Sequence, residues 1–158
     1  MAGYGDDTAF ATWRTDNGYG AIAGALSATV LRQRGSAYVD GVYGLRFPGS
    51  PTGGYAQERA WPRTGATAYG ADIPSTAVPA AVVEASYLAA LQEDASPGSL
   101  SVVVTAAAQV KREKVGPIET EYQATSGDAV ISSTPLLSAI EGLLAPLLYQ
   151  LAPYIVTT

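Results

Sequence analysis

The chain has 158 residues, a formal net charge of −5 and 47% hydrophobic residues, which suits a single domain with a modest core. It contains no histidine and no cysteine, which excludes Ser-His-Asp and Cys-His catalysis, disulfides and thiolate metal sites within one chain. We therefore expect neither an enzyme nor a bound cofactor, and the acidic balance argues against tight, nonspecific binding of DNA.

No apolar run approaches the roughly 20 residues of a membrane span, so no membrane association is expected. The N-terminus also lacks the basic and then apolar pattern of a signal peptide. Both observations predict an intracellular, soluble protein.

A short helix is predicted near the N-terminus. Asp6 or Asp7 can cap it, and it should cover residues 8–15. Phe10 and Trp13 are three residues apart and would share its buried face.

Ser27 can cap a second helix that runs through about residue 42. Its buried stripe is predicted to contain Val30, Leu31, Tyr38 and Val42. Gly35 and Gly41 weaken this helix by roughly 1 kcal/mol each relative to alanine. We interpret both glycines as points of close approach between helices.

Residues 44–72 are predicted to form a long loop, which is uncommon in a compact domain unless it is functional or docks elsewhere. Within it, Arg59 and Arg63 flank Trp61, and Pro62 excludes the α conformation for the tryptophan. Tryptophan and arginine are enriched at interface hot spots. Either the tryptophan closes the core while the arginines bind carboxylates and helix-end carbonyls, or the group holds a nucleic-acid backbone. We favour the first interpretation, because these residues form no basic stripe.

A third helix is predicted over residues 76–94, with Pro79 in its first turn, where the missing N–H costs nothing. Its buried face should contain Val78, Val82, Ala85 and Ala89. Strand-prone segments are then predicted at 102–104, 110–115 and 118–122. The last two flank a Gly-Pro turn and predict a β-hairpin. Opposite charges would face each other across it, and a ribbon this small needs completion, for example by a neighbouring copy.

A last helix is predicted from the Thr134–Pro135 cap to about residue 145. The tail that follows has no charge, and its two prolines prevent one regular helix. We interpret it as a docking arm, with a strand folded back onto the same domain as the alternative. The predicted fold is mainly α: a bundle of about four helices over 1–145 with a projecting hairpin at about 100–124, and an extended C-terminal arm at 146–158.

The segment W-P-R-T-G at 61–65, followed by Ile73-Pro74 at the start of a helix, resembles the head–tail connector (adaptor) proteins of tailed bacteriophages. That group includes DnaT-like single-stranded-DNA-binding proteins. The resemblance covers roughly residues 5–147 and extends to the hairpin around 114–122.

The resemblance implies a structural protein of the virion neck, made in the host cytoplasm. Connectors form a homo-oligomeric ring, typically a dodecamer, below the portal protein. The ring extends the channel through which double-stranded DNA passes without specific binding, and it docks the stopper or tail-completion protein. The alternative function is a DnaT-like single-stranded-DNA-binding protein, which would need a groove of basic and aromatic side chains.

Three groups of interaction residues are predicted. Fold closure or an interface is assigned to Arg59, Trp61, Pro62 and Arg63. Ring contacts are assigned to Arg32, Arg34, Lys111, Arg112, Lys114, Glu119, Glu121 and Tyr122. Portal docking is assigned to Leu147, Leu148, Tyr149, Leu151, Tyr154, Ile155 and Val156.

Overall fold

The computed structural model describes residues 2–101 and 137–148, together with the backbone of 112–115 and 118–121. The chain divides into two compact units. The first comprises Met1–Leu100 with Leu136–Thr158, and the second comprises Ser101–Pro135.

Four α-helices carry the described part of the first unit, and the mainly α prediction is confirmed. They are α1 (Asp7–Asp16), α2 (Ala28–Tyr43), α3 (Ala80–Ala95) and α4 (Ser138–Leu144). Asp6 and Ser27 cap α1 and α2 as expected, because each side chain accepts a hydrogen bond from an N–H in the first turn. None of the described helices is long and apolar enough to cross a bilayer.

The start of α3 differs from the prediction. Pro79 is the N-cap rather than a first-turn residue, and the helix begins at Ala80. The proline ring disfavours the α conformation of Val78, so a helix that started at residue 76 could not continue through this position.

The loop between α2 and α3 contains short pairs of strands that the sequence prediction missed. Strand β1 (Ser50–Pro51) pairs with β2 (Arg63–Thr64), and β3 (Thr67–Ala68) pairs with β4 (Ala71–Asp72), both antiparallel. Two-residue strands show no alternation of apolar and polar residues, so periodicity could not reveal them.

The second unit contains the predicted hairpin. Strand β5 (Arg112–Val115) pairs antiparallel with β6 (Ile118–Glu121). The register places Arg112 opposite Glu121 and Lys114 opposite Glu119, as the predicted pattern of opposite charges requires. The predicted strand segment at 102–104 and the Thr134–Pro135 cap lie outside the described residues.

Helices α2 and α3 pack closely, but only one of the two glycines of α2 lies at their contact. A Cβ at Gly35 would overlap the backbone of Ser86 and lie 2.8 Å from the nitrogen of Ala90. Gly35 is therefore a point of close approach, as predicted. Gly41 is not, because a Cβ there would meet nothing within 4 Å.

The core has a large and a small cluster of buried apolar side chains. The large cluster joins α2, α3 and α4 to the loop, and it includes Val39, Tyr43, Trp61, Val82 and Ile140. The small cluster packs α1 against the other helices through Phe10, Leu31, Tyr87 and Ala90. Of the stripe predicted for α2, Leu31 and Tyr38 are buried, whereas Val30 and Val42 are only half-buried.

Candidate functional site

The W-P-R segment lies inside the first unit. Trp61 is only 2% exposed, and its ring packs edge-on against Phe47 with the ring centroids 5.5 Å apart. The peptide bond between Trp61 and Pro62 is cis. The indole N–H has no hydrogen-bond partner among the described residues, so apolar packing holds the ring in place. These contacts agree with the structural interpretation of the segment.

Arg59 ties the loop to α2 and to the N-terminal segment. Its guanidinium lies 3.4 Å from the Asp40 carboxylate and donates to the carbonyl oxygen of Gln33 at 3.3 Å. The Nε–H donates to the carbonyl oxygen of Ala2 at 2.7 Å. All these partners belong to the same chain, so the guanidinium acts as a clamp within it.

Tyr4 completes this clamp between the N-terminal segment and the loop. Its hydroxyl donates a 2.5 Å hydrogen bond to Asp40 and accepts one from the backbone N–H of Trp61 at 3.1 Å. Burial raises the pKa of Asp40 above its usual range, even though the bonds from Tyr4 and Arg59 favour its charged form. Burial together with the neighbouring carboxylate raises the pKa of Tyr4 as well, so the hydroxyl remains a donor at neutral pH.

Arg63 orders the beginning of the loop. It is 6% exposed, and its guanidinium donates hydrogen bonds at 2.7–3.2 Å to four backbone carbonyls. These carbonyls belong to Phe47, Pro48, Gly49 and Ala60. The residue therefore replaces the backbone hydrogen bonds that an irregular loop cannot make for itself.

Arg32, a predicted ring contact, is 7% exposed. Its Nε–H lies 2.7 Å from the Asp7 carboxylate, and its NH1 donates to the carbonyl oxygens of residues 3, 4 and 5. The side chain is thus engaged within its own chain. Arg34, by contrast, is about half exposed and pairs at 2.5 Å with Glu93, whose side chain is only 3% exposed.

The sequence analysis did not predict two further ion pairs. Arg14 on α1 lies 3.2 Å from Asp94 at the end of α3, and both side chains are buried. Burial alone would raise the pKa of Asp94, but hydrogen bonds from the N–H groups of Gly24 and Ala23 and from Arg14 lower it below its ordinary value. The spacing of four residues between Arg14 and the buried Phe10 could have indicated that this arginine faces inward.

The second pair joins Arg46, just after α2, to Glu141 on α4, with nitrogen–oxygen distances of 2.6 and 3.1 Å. The hydrogen bond from Arg46 lowers the pKa of Glu141. Because 95 residues separate the partners in sequence, no local pattern connects them.

These contacts leave the described surface of the first unit acidic. All six arginines whose side chains are described are engaged with carboxylates or backbone carbonyls. Among the described residues no guanidinium lies within ion-pair distance of four exposed carboxylates, which are Asp16, Glu58, Asp72 and Glu84. The described side chains therefore form no basic groove.

The same unit exposes large apolar side chains on its loop. Leu45, Tyr55 and Tyr69 are 100%, 104% and 89% exposed. Tyr69 lies in the turn between β3 and β4 and has a positive φ of 53°. Large exposed side chains of this kind are frequent in protein interfaces, where tyrosine is enriched.

The other predicted site residues fall in two groups. Leu147 and Leu148, predicted to dock the portal, are 5% and 8% exposed and pack into the core of their own chain. The remaining predicted contacts, Lys111, Tyr122, Tyr149, Leu151, Tyr154, Ile155 and Val156, lie outside the described residues. For Arg112, Lys114, Glu119 and Glu121 only the hairpin register is described.

No cluster of three or more carboxylates that could hold a metal ion occurs among the described residues. Their carboxylates serve as helix caps, ion-pair partners or exposed surface charges.

By its fold, the described part of the first unit is a small helical domain whose arginines bind carboxylates and carbonyls of the same chain. The family of the protein follows from the sequence comparison. The profile of a family described as "Putative DnaT-like ssDNA binding protein" matches residues 9–156, and the chain belongs to that family. This match supports the single-stranded-DNA-binding alternative, and no finding supports the head–tail connector family specifically. No curated protein and no solved structure matches the chain significantly.

Proposed function

We propose that this protein is a structural assembly protein of the head–tail connector kind, which binds copies of itself and neighbouring proteins through an acidic, tyrosine-bearing surface. The proposal rests on one observation: the described arginines bind groups of their own chain. Every guanidinium whose side chain is described is engaged within the subunit, so the helical unit offers proteins a surface but offers phosphates little.

The charge distribution supports this choice over a nucleic-acid groove. Binding of single-stranded DNA combines a positively charged track for the backbone with aromatic platforms for the bases. Tyr55 and Tyr69 could supply platforms, but the exposed charges of the described surface include the acidic side chains of Glu58 and Asp72. An acidic surface would also let double-stranded DNA slide past without being held.

In this proposal the partners are further copies in a ring, the portal protein and the stopper or tail-completion protein, all in the virion neck. Arg34 and the hairpin remain our proposed ring contacts. For the portal we propose the segment from residue 149 onward, because Leu147 and Leu148 are buried in the subunit's own core.

The second candidate function is the binding of single-stranded DNA, which the description of the family supports directly. Three basic residues could serve it: Lys111, Arg112 and Lys114. The hairpin register places Glu121 and Glu119 opposite two of them, which would reduce their attraction for phosphate.

One pair of measurements separates the two functions. The protein is co-expressed with the portal and stopper proteins of the same phage, and the particles are imaged by electron microscopy. In parallel, anisotropy of a fluorescent oligo(dT) is followed at low salt. A ring stacked on the portal, with no anisotropy change at micromolar protein, supports the connector. Salt-dependent DNA binding without a ring would refute it.

A matched pair of hairpin variants sharpens the DNA measurement. Replacing Lys111 and Lys114 by glutamate makes the hairpin more acidic, and replacing Glu119 and Glu121 by lysine makes it more basic by the same amount of charge. If the hairpin binds DNA, the first variant should lose affinity and the second should gain it. If the hairpin contacts a neighbouring subunit, both should weaken the ring. The first variant removes the pairing of Lys114 with Glu119, and the second removes this pairing and that of Arg112 with Glu121.

A further inference from the structure

Tyr69 is exposed, and its backbone conformation is unfavourable for a residue that carries a side chain. It occupies the two-residue turn of the β3–β4 hairpin together with Gly70, and both have positive φ, 53° and 77°. Such turns favour asparagine, aspartate or glycine, because a side chain in the left-handed region costs roughly 1–2 kcal/mol. The ring is 89% exposed, and no aromatic contact of Tyr69 is found among the described residues. A strained and exposed aromatic residue suggests a binding role rather than a folding role.

A pocket of about 360 Å³ lies elsewhere on the same unit, between the C-terminal half of α1 and the segment that leads into α2. Its lining is mostly apolar and includes Phe10, Ala11, Thr15, Tyr19, Ile22 and Ala28. This is a partly enclosed site that the fold forms without any ligand.

The polar groups of this pocket suit a phenol better than an anion. Arg14 lines it, but its guanidinium already binds Asp94 and the carbonyl oxygens of Gly20 and Ala21. The carbonyl oxygen of Gly20 already accepts two bonds from Arg14, whereas that of Ala21 accepts one. A carbonyl oxygen has two lone pairs, so Ala21 could also accept a bond from a phenolic hydroxyl. A phosphate or carboxylate would find no guanidinium available here.

We propose that Tyr69 of one copy inserts into this α1 pocket of a second copy. The projection and the pocket lie on different parts of the subunit, so the contact is heterologous and repeats head to tail. Repetition by a closing rotation generates a ring, and the inference therefore deepens the proposed function and rests on it.

The area of this contact is small, so other contacts must help to hold the copies together. A buried tyrosine contributes about 150–250 Å², whereas a stable protein interface buries roughly 800 Å² on each partner. A single Tyr69 contact is too small to hold a dimer in dilute solution. It adds specificity to a ring in which further contacts, such as those to the portal, hold the copies together.

The absence of cysteine allows the contact to be trapped. One protein carries Ala71→Cys beside the projecting tyrosine, and a second, distinguishable by a tag, carries Ala21→Cys at the pocket; both positions are exposed. Mixed under mild oxidation, alone and with portal protein, they should form a disulfide-linked heterodimer. The yield should exceed the homodimer background of either protein by about tenfold.

Matched variants identify the side chains responsible. Adding Tyr69→Gly to the Ala71→Cys protein should reduce the yield to background while leaving the melting temperature equal or higher, because glycine relieves the strained turn. Tyr55→Gly removes an equally exposed tyrosine and should leave the yield unchanged. Ala11→Trp in the Ala21→Cys protein should fill the pocket from an exposed helix position and also abolish the product.

The outcomes distinguish the inference from the proposed function. A background-level yield from the parent pair, with and without portal, or a yield unaffected by Tyr69→Gly, would overturn the inference even if electron microscopy shows a ring. A specific heterodimer without any ring on the portal would support the contact and count against the connector. Loss of product with Tyr55→Gly as well would show that the trapping reports general stickiness, and the inference would fall.

Discussion

Gly35 and Gly41 lie on the same helix, and their replacement by alanine should change stability in opposite directions. Within a helix, alanine is favoured over glycine by about 1 kcal/mol. At Gly41 a Cβ would meet no atom within 4 Å, so the whole gain should be realised. We expect Gly41→Ala to raise the free energy of unfolding by roughly 0.5–1 kcal/mol.

At Gly35 the same gain competes with a steric clash. The new Cβ would overlap the carbonyl oxygen of Ser86 and lie 2.8 Å from the nitrogen of Ala90, both on α3. Backbone atoms of a helix cannot rotate away as a side chain can, so α2 and α3 must separate. Overpacking costs about 1–3 kcal/mol or more, and a clash with backbone belongs in the upper part of that range, at about 2–3 kcal/mol. After the helix gain of about 1 kcal/mol, we expect a net loss near 1–2 kcal/mol.

Urea unfolding, followed by far-ultraviolet circular dichroism, measures both variants against the parent. Unchanged denaturant slopes would show that the shift in midpoint reports stability alone. If both variants are stabilised to the same extent, the close approach of α2 and α3 at Gly35 is wrong.

Three further predictions concern buried groups. Trp61→Ala should lower the free energy of unfolding by roughly 3–5 kcal/mol, because the ring is buried. Tyr55→Ala should change it by less than about 0.5 kcal/mol, because that ring is exposed. Similar losses would contradict the difference in burial. Asp94→Asn leaves a buried guanidinium without its counter-charge and should cost about 3–5 kcal/mol near pH 7. Because the pKa of Asp94 is lowered in the fold, its charged form stabilises the protein at neutral pH and loses this effect in acid. The penalty of Asp94→Asn should therefore shrink as the pH falls below about 4. A penalty that stays constant in urea titrations from pH 7 to pH 3 would refute the ion pair. A chain that ends just before Leu147 should lose roughly 1.5–3 kcal/mol for each of Leu147 and Leu148, and an unchanged melting temperature would show that these leucines are not core residues.

Local signals in the sequence predicted the helices well. The caps at Asp6 and Ser27 act through side-chain oxygens that reach N–H groups only a few residues away, so their effect is visible in sequence. The hairpin register follows from the charge pattern and the turn between its strands. The start of α3 was placed too early because the restriction that Pro79 imposes on Val78 outweighs the apolar periodicity.

Contacts between distant residues were much less predictable. Both glycines of α2 look alike in sequence, yet only Gly35 faces another helix. Arg46 and Glu141 pair across 95 residues of chain, and Arg14 reaches Asp94 across 80. Leu147 and Leu148 belong to an uncharged tail that was predicted to bind a partner, but they fill the core of their own chain.

The sequence alone therefore determined the fold class, the absence of histidine and cysteine chemistry, and the acidic balance, because these depend on composition and on spacing within a few residues. Only the tertiary structure decided which carboxylates and carbonyls the six described arginines bind. A guanidinium donates its hydrogen bonds to whichever carboxylate or carbonyl the fold brings within about 3 Å, and that proximity depends on how the helices pack. The same packing buries Trp61 and leaves Tyr69 exposed, although both are large aromatic residues of one loop.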